Sequence, residues 1–206
     1  MTDRESNYTY DPKSRRFRGP DGRYIAASEI IGIRDEIIVA KKQRTATLVN
    51  SLYAGTLTPA AFVLAMRTEI QRTVLMEYML GRGGANALTQ DDYGRIGGIL
   101  KPQYQYLNTF TTQIMNGDVT KDQATRRAGM YIDASRNAHS RGVSGAWDID
   151  LPAYPGIHPY CACVLDFHDR GDRVHVYWTT QSANACHECE GYESEWNPLV
   201  IERPEP

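Results

Sequence analysis

Long apolar runs, net charge and cysteine are all scarce in this 206-residue sequence. No apolar run approaches the roughly 18–20 residues that a membrane-spanning helix needs. The opening segment Met1–Tyr8 is polar and lacks the apolar centre of a secretion signal. We therefore expect a protein that is made in the cytoplasm, and either kept there or assembled there into a particle, with no membrane as a partner.

The formal net charge is only −2, so the chain lacks the positive excess that drives non-specific binding to nucleic acid. Any contact with DNA is therefore expected to be local. The hydrophobic content of 41% is enough for a sizeable core. It predicts one globular unit with a smaller appendage.

Composition divides the chain into three predicted parts: an extended arm at 1–27, a helical body at 28–145, and a cysteine-rich module with an acidic tail at 146–206. The arm contains six Lys or Arg residues and four acids, with turn signals at Gly19-Pro20 and Asp21-Gly22. Two interpretations of the arm remain open, a solvated leader and a segment that lies on a neighbouring subunit. The predicted fold class is mainly α: a helical bundle with this arm and a small C-terminal β-hairpin module.

The body alternates helical periodicity with capping signals. The predicted helices run from Ser28 to Gly55, from Thr58-Pro59 to Gly81, from Thr89 to Gly117 with a break or kink at Pro102, and from Thr120, with Gln123 in a capping box, toward Gly142. Their predicted apolar faces consist of Ile30, Ile33, Ile37, Ala40, Leu48, Leu52, Phe62, Met66, Ile70, Val74, Leu107, Phe110, Ile114, Met115, Ala124, Ala128, Tyr131, Ile132 and Ser135. The first two helices are expected to form a hairpin.

Two β-rich runs follow in the last quarter of the chain, Val164–Phe167 and Val174–Trp178. The polar segment Asp169–Asp172 between them predicts a β-hairpin. Alternation along the second run places His175 on the opposite face from its neighbouring valines, as an exposed strand histidine. The end of the chain is acidic and is expected to be partly extended.

All four cysteines of the chain flank this hairpin. An antiparallel hairpin would bring the pair Cys161 and Cys163 and the pair Cys186 and Cys189 to its open end, where four thiolates could hold a structural zinc ion. His158 is an alternative ligand to Cys163. Reduced cysteines packed in a small core remain an alternative, as does a disulfide formed outside the cell, although a cytoplasmic origin disfavours a disulfide framework.

Signals for catalysis are weaker than the signal for a metal. The five histidines are His139, His158, His168, His175 and His187. A nuclease or ADP-ribosyl-transfer chemistry would combine one of them with Glu188 or Glu193 and an arginine, but no spacing fixes such a geometry. We therefore expect no enzyme and no catalytic residues.

Several stretches, in order along the chain, resemble a family of phage proteins. Arg16–Tyr24 is similar to the Tyr-Arg-Asp-x-x-Gly-Arg-Phe opening of that family, and Tyr106–Phe110 with Arg127–Tyr131 resembles its central helices. Leu151–Gly156 matches a Leu-Pro-x-Tyr-Pro-Gly signature, and His158–Cys163 is similar to a His-Pro-x-Cys-x-Cys signature. The late Cys-x-x-Cys occurs in a subset of members. The family comprises the minor head or head morphogenesis proteins of tailed phages, related to the F-type protein of phage Mu and the minor head protein of Bacillus siphophages.

The resemblance implies a structural protein of the virion head, made in the host cytoplasm and acting in head assembly or in genome packaging and delivery. The implied partners are the portal, the major capsid protein, copies of the chain itself and, at most locally, packaged DNA. Many relatives have Gly-Asp-Gly-Ser/Thr-x-Cys where this chain has Gly156–Tyr160, which strengthens His158 as a candidate ligand. A nucleic-acid-binding zinc module is the alternative function, and a small nuclease or ADP-ribosyltransferase is a further one. A head subunit should also expose an additional apolar face, for which Tyr78, Met79, Tyr104 and Tyr106 are the candidates.

Overall fold

The computed structural model describes residues 9–11, 16–19, 21–25, 27–155, 163–180 and 186–203. The fold is mainly helical, as predicted, with a small antiparallel sheet near the C-terminus. The helices are α1 (Ala27–Tyr53), α2 (Pro59–Arg82), α3 (Gln90–Met115), α4 (Lys121–Ala134), α5 (Asn137–Ala146) and α6 (His187–Glu195), with a short 3-10 helix at Ala85–Ala87. The strands are β1 (Thr9–Asp11), β2 (Arg16–Arg18), β3 (Val164–Asp169), β4 (Arg173–Thr179) and β5 (Leu199–Glu202).

Side-chain caps begin three of the helices where the sequence predicts them. The Thr58 hydroxyl accepts the backbone N–H of Ala61 at 3.2 Å, ahead of proline in the first turn of α2. Thr89 and Asp92 form a capping box at the start of α3, and Thr120 forms another at the start of α4 with its predicted partner. Each cap satisfies backbone donors that have no acceptor within the helix.

Other predicted helix boundaries are wrong. Helix α1 begins at Ala27, so Ser28 lies inside the helix and is not its cap. Helix α3 continues through Pro102, so of the predicted break or kink the break is wrong. The predicted last helix is two helices, since α4 ends at Ala134 and α5 begins at Asn137.

The core of the bundle lies around α2, which contacts α1, α3, α4 and α5. Four side chains of its predicted apolar face are fully buried: Phe62, Met66, Ile70 and Val74. Phe110 of α3 packs against Phe62 and against Tyr131 of α4, with ring centroids 6.4 Å and 5.9 Å apart. Two predicted core positions are wrong, because Met115 is 56% exposed and Ala40 also faces solvent.

Glycine allows α2 and α5 to pack backbone against backbone. A β-carbon at Gly81 would overlap the carbonyl oxygen of His139 and lie 2.9 Å from the nitrogen of Val143. A β-carbon at Gly142 would overlap the carbonyl oxygen of Tyr78. The predicted end of α2 at Gly81 is therefore wrong, and this glycine is a helix-contact residue. The helix ends at Arg82 and is capped by Gly83, whose φ is 102°.

The described part of the predicted arm is a folded hairpin and not an extended segment. Strand β1 pairs antiparallel with β2 and lies against the 3-10 helix of the body. Arg18 donates to Asp11 at 2.9 Å and lies over the ring of Tyr24 at 4.0 Å. The arm thus has contacts within its own chain.

The predicted C-terminal hairpin is confirmed. Strands β3 and β4 pair antiparallel over their full length, with Val164 opposite Thr179. Strand β5 lies in the predicted acidic tail, where no strand was predicted, and adds a third strand beside β4. Val174, Val176 and Trp178 point to the inner face of this sheet and are buried in a second apolar cluster. Across the described residues, no helix is long and apolar enough to cross a membrane.

Candidate functional site

Three of the four predicted cysteine ligands lie within the apolar cluster of the C-terminal module. Cys163 directly precedes β3, at the open end of the hairpin, and is buried. Cys189 lies in the first turn of α6 and is fully buried, while Cys186 is half-buried at the start of the same helix. The hairpin thus positions one cysteine, as predicted, whereas the Cys-x-x-Cys pair is positioned by helix α6, which the sequence did not predict in its partly extended tail. Cys161 and the alternative ligand His158 lie outside the described residues.

Helix α6 begins with a cysteine in place of the usual hydroxyl cap. The Sγ atom of Cys186 accepts the backbone N–H of Cys189 at 3.4 Å. This hydrogen bond satisfies one of the backbone donors that have no acceptor at the start of a helix. The Cys-x-x-Cys segment is therefore ordered by its own backbone, with its first sulfur directed at the helix start.

An acid and three aromatic rings hold α6 on the sheet. The Glu193 carboxylate accepts the backbone N–H of Thr180 at 2.9 Å and its hydroxyl at 2.8 Å. These two hydrogen bonds lower the pKa of Glu193. Trp178 of β4 stacks on Tyr192 of α6 at 4.7 Å, and Trp196 lies edge-on to both rings. Glu193 is thus a positioning residue for the cysteine helix.

Within the part of the chain that the structure describes, no three His, Cys, Asp or Glu side chains converge as ligands for a metal ion. A four-ligand zinc site would need Cys161 or His158 beside the three described cysteines. The donor set fits zinc in kind, because thiolates and imidazoles are its usual protein ligands. The zinc site therefore stays a prediction.

A buried polar network joins α2, α3 and α5. Asp92 accepts from the hydroxyl of Tyr78 at 2.7 Å and from Nε of Arg82 at 3.1 Å, and Arg82 also donates to the carbonyl of Gly145. Burial and the hydrogen bond to Asp92 raise the pKa of Tyr78 to about 12. Burial alone would raise the pKa of Asp92, but hydrogen bonds from Thr89, Tyr78 and Arg82 outweigh it and lower that pKa.

The same network lines a cavity of about 490 Å³ that opens between the ends of α2, α3 and α5. Arg95, Asp91, Asp148 and Asp150 also line it, so the cavity carries charges of both signs. Two of its lining groups, Arg82 and Asp92, are hydrogen-bonded to each other. The Thr89 hydroxyl also donates to Oδ2 of Asp92, at 2.9 Å.

A second buried ion pair ties α1 to α2, and the sequence analysis did not identify it. Nε of Arg34 donates to Oε2 of Glu77 at 2.7 Å, and its Nη2 donates to the carbonyl of Arg136 at 3.2 Å. Burial raises the pKa of Glu77, although Arg34 partly offsets this effect. Glu77 lies three residues after Val74, on the apolar face of α2. An acidic residue on an apolar helix face is the sequence feature that could have predicted this buried ion pair.

The histidines occupy three different environments. His139 of α5 is buried, and this burial lowers its pKa well below 6.5. The nearby positive charge of Arg34 is a smaller cause in the same direction. His175 of β4 is half-buried on the outer face of the sheet, opposite in direction to the buried valines, as predicted. His187 is exposed in α6.

The predicted additional apolar face is only partly present. Tyr78 is fully buried and Met79 nearly so, because α5 and α3 cover that side of α2, and their proposed exposure is wrong. Tyr104 is partly buried against the main core, and Tyr106 is 39% exposed. The large apolar side chains that are more than half exposed include Ile31, Val39, Leu64 and Met115.

Comparison with known proteins found no match to this chain among protein-family models, curated proteins or solved structures.

Proposed function

We propose that this chain is a structural component of a tailed-phage virion, a minor head protein that contacts portal or capsid subunits. It would act during head assembly or during genome packaging and delivery. The observation that carries the proposal is the order of sequence signatures: the arm motif, the central helices, Leu151–Gly156, His158–Cys163 and the late Cys-x-x-Cys. A helical body followed by a small cysteine-containing sheet is compatible with that order.

Exposed apolar side chains on the helical body support a role in protein contacts. Leu64 of α2 is 68% exposed, and Ile31 and Val39 of α1 are each more than half exposed. Apolar groups of this size gain free energy when a neighbouring subunit covers them. The body therefore offers surfaces that a particle would bury.

We further propose that the C-terminal module binds one structural zinc ion through Cys161, Cys163, Cys186 and Cys189, with His158 as an alternative ligand. Support comes from the burial of Cys163 and Cys189 in one small cluster and from the ordered Cys-x-x-Cys cap of α6. A module with a three-stranded sheet and a nine-residue helix has a small core, to which a closed metal site would add folding free energy.

The virion proposal is tested on tailed particles purified from cells that express the chain together with its neighbouring phage genes. We expect quantitative mass spectrometry to find the chain in DNA-filled heads at a fixed ratio to the major capsid protein. A Leu64→Glu variant should keep its helical content in isolation but enter particles less well, whereas Gly97→Ala, an exposed change without apolar loss, should enter normally. Particles that assemble and package DNA at wild-type levels without the chain would contradict the proposal.

The zinc proposal is tested by elemental analysis of protein purified without chelators. We expect about one zinc per chain, lost in a Cys186→Ser, Cys189→Ser variant. A Ser194→Ala variant is the control, because it changes an exposed residue of α6 that is not a proposed metal ligand. Zinc that is absent from the wild-type protein, or retained in the double variant, would remove the cysteine site.

A further inference from the structure

Two histidines lie side by side on the outer face of the C-terminal sheet. The strand register places His168 of β3 directly opposite His175 of β4. On both strands the alternate residues, such as Leu165, Val174 and Val176, are buried toward the second apolar cluster. The two imidazoles therefore share the opposite face, where residues that pair across strands have β-carbons about 4.5–5.5 Å apart. Two imidazoles at that separation can reach a single ion.

A carboxylate already orients one of these rings. Nε2 of His168 lies 2.9 Å from Oδ2 of Asp166, two residues earlier on the same strand and therefore on the same face. A carboxylate can only accept, so Nε2 carries the proton of this hydrogen bond and Nδ1 of the neutral ring keeps its lone pair. Histidines that bind metals characteristically donate their other ring N–H to a carboxylate in this way. The Tyr177 ring, 5.1 Å away and edge-on, limits rotation of the same imidazole.

The site is accessible and lies apart from the cysteines. The His168 side chain is 43% exposed, and α6 packs on the inner face of the sheet through Trp178, not on this outer face. His168 lies five residues along β3 from Cys163, about 17 Å at the usual strand rise. One ion therefore cannot be shared between the histidines and the cysteine cluster.

We propose that His168 and His175 chelate a divalent transition-metal ion of the zinc, nickel or copper class, with Asp166 as the carboxylate behind the first ligand. Imidazole nitrogen is a preferred donor for these ions, whereas magnesium and calcium prefer oxygen. Two protein ligands leave further coordination positions for water or for a donor from a neighbouring molecule. Such an open two-ligand site is compatible with the absence of any three-ligand cluster among the described residues.

The experiment is a calorimetric Ni²⁺ titration of the full chain, purified without chelators so that any ion at the cysteines stays in place. We expect His168→Gln and His175→Gln each to weaken Ni²⁺ binding at least about tenfold, and Asp166→Asn to weaken it by about tenfold, the usual effect of losing an outer partner. His187→Gln, which replaces an exposed histidine of α6, is the matched control and should leave the affinity unchanged.

Two titration results would overturn the proposal, as would one result from a separate spectroscopic measurement. The first titration result is unchanged Ni²⁺ affinity in both histidine variants. The second is loss of binding only in the Cys186→Ser, Cys189→Ser variant, which would place the ion at the cysteines. Nuclear magnetic resonance on the wild-type chain gives a readout that does not depend on variant folding: Ni²⁺ should broaden the His168 and His175 ring signals before the His187 signal, and the reverse order would refute the site.

Discussion

Adding one methyl group at the α2–α5 contact should destabilise the protein, although alanine is a better helix former than glycine. In Gly81→Ala the new β-carbon would overlap the carbonyl oxygen of His139 and press on the backbone nitrogen of Val143. Backbone atoms have no rotamer to change, so the two helices must separate by about 1 Å. Overpacking of this kind costs about 1–3 kcal/mol, and a backbone contact belongs at the upper end. Alanine regains up to about 1 kcal/mol of helix propensity. The expected net loss is therefore about 2 kcal/mol.

The matched control is Gly97→Ala in α3, where a β-carbon would meet no atom within 4 Å. That substitution should stabilise the protein by about 0.5–1 kcal/mol, because it removes only the backbone freedom of the unfolded chain. Urea unfolding followed by helical circular dichroism measures both. For a chain of this size the Gly81 variant should melt about 4–8 °C lower. If both variants are stabilised to the same extent, α2 and α5 do not pack as closely as described.

Three further predictions concern buried charges. Arg34→Ala should lower the free energy of unfolding by about 3–5 kcal/mol, because it leaves Glu77 buried without its ion-pair partner. Adding Glu77→Gln should recover part of this loss in the same urea assay. A double variant that is no more stable than Arg34→Ala alone would contradict the prediction. The pKa of Glu77 is raised, so the folded state keeps the proton on this carboxyl to a higher pH than the unfolded state does. Stability therefore declines as the pH rises from the ordinary carboxyl pKa through the raised value. Glu77→Gln should remove that decline, whose slope is at most about 1.4 kcal/mol per pH unit. The lowered pKa of His139 has the opposite consequence: as the pH drops, the unfolded chain binds a proton at this side chain before the folded chain does, so stability falls below pH 6.5. Unfolding curves of His139→Gln collected from pH 7 to pH 5 should lack this fall. An unchanged fall would show that another group causes it.

Local chemistry made the helix starts predictable. The caps at Thr58, Thr89 and Thr120 depend on residues within three positions of one another, so the sequence alone carries them. The hairpin was predictable for the same reason, because alternation and a polar turn lie within sixteen consecutive residues. These features need no knowledge of distant contacts.

The features that were missed depend on distant contacts. The chain leaves the helix between α4 and α5 at Arg136, whose carbonyl accepts a hydrogen bond from Arg34 about a hundred residues earlier. In the sequence alone, Gly81 has the pattern of a residue that ends a helix. Only the fold brings Gly142 of α5 against it. Strand β5 pairs with β4 from beyond an intervening helix, so its short sequence gave no hairpin signal.

The candidate site was predictable in kind but only partly in geometry. Cysteine spacing indicated that the hairpin end and the Cys-x-x-Cys segment would meet, and Cys163, Cys186 and Cys189 do lie in one cluster. The histidine pair was not predicted, because His168 and His175 are seven residues apart in sequence and become neighbours only through the strand register. Register depends on the turn and on burial of one face, which a single sequence specifies weakly.

The close contact between α2 and α5 has a consequence for synthesis on the ribosome. Translation proceeds at about 5–20 residues per second, so several seconds pass between the emergence of α2 and that of α5. During that interval the glycine surface of α2 and the apolar side chains around it have no native neighbour to cover them. Nascent chains of this protein should therefore be clients of the chaperones that shield apolar segments, until residue 146 is free to complete the bundle.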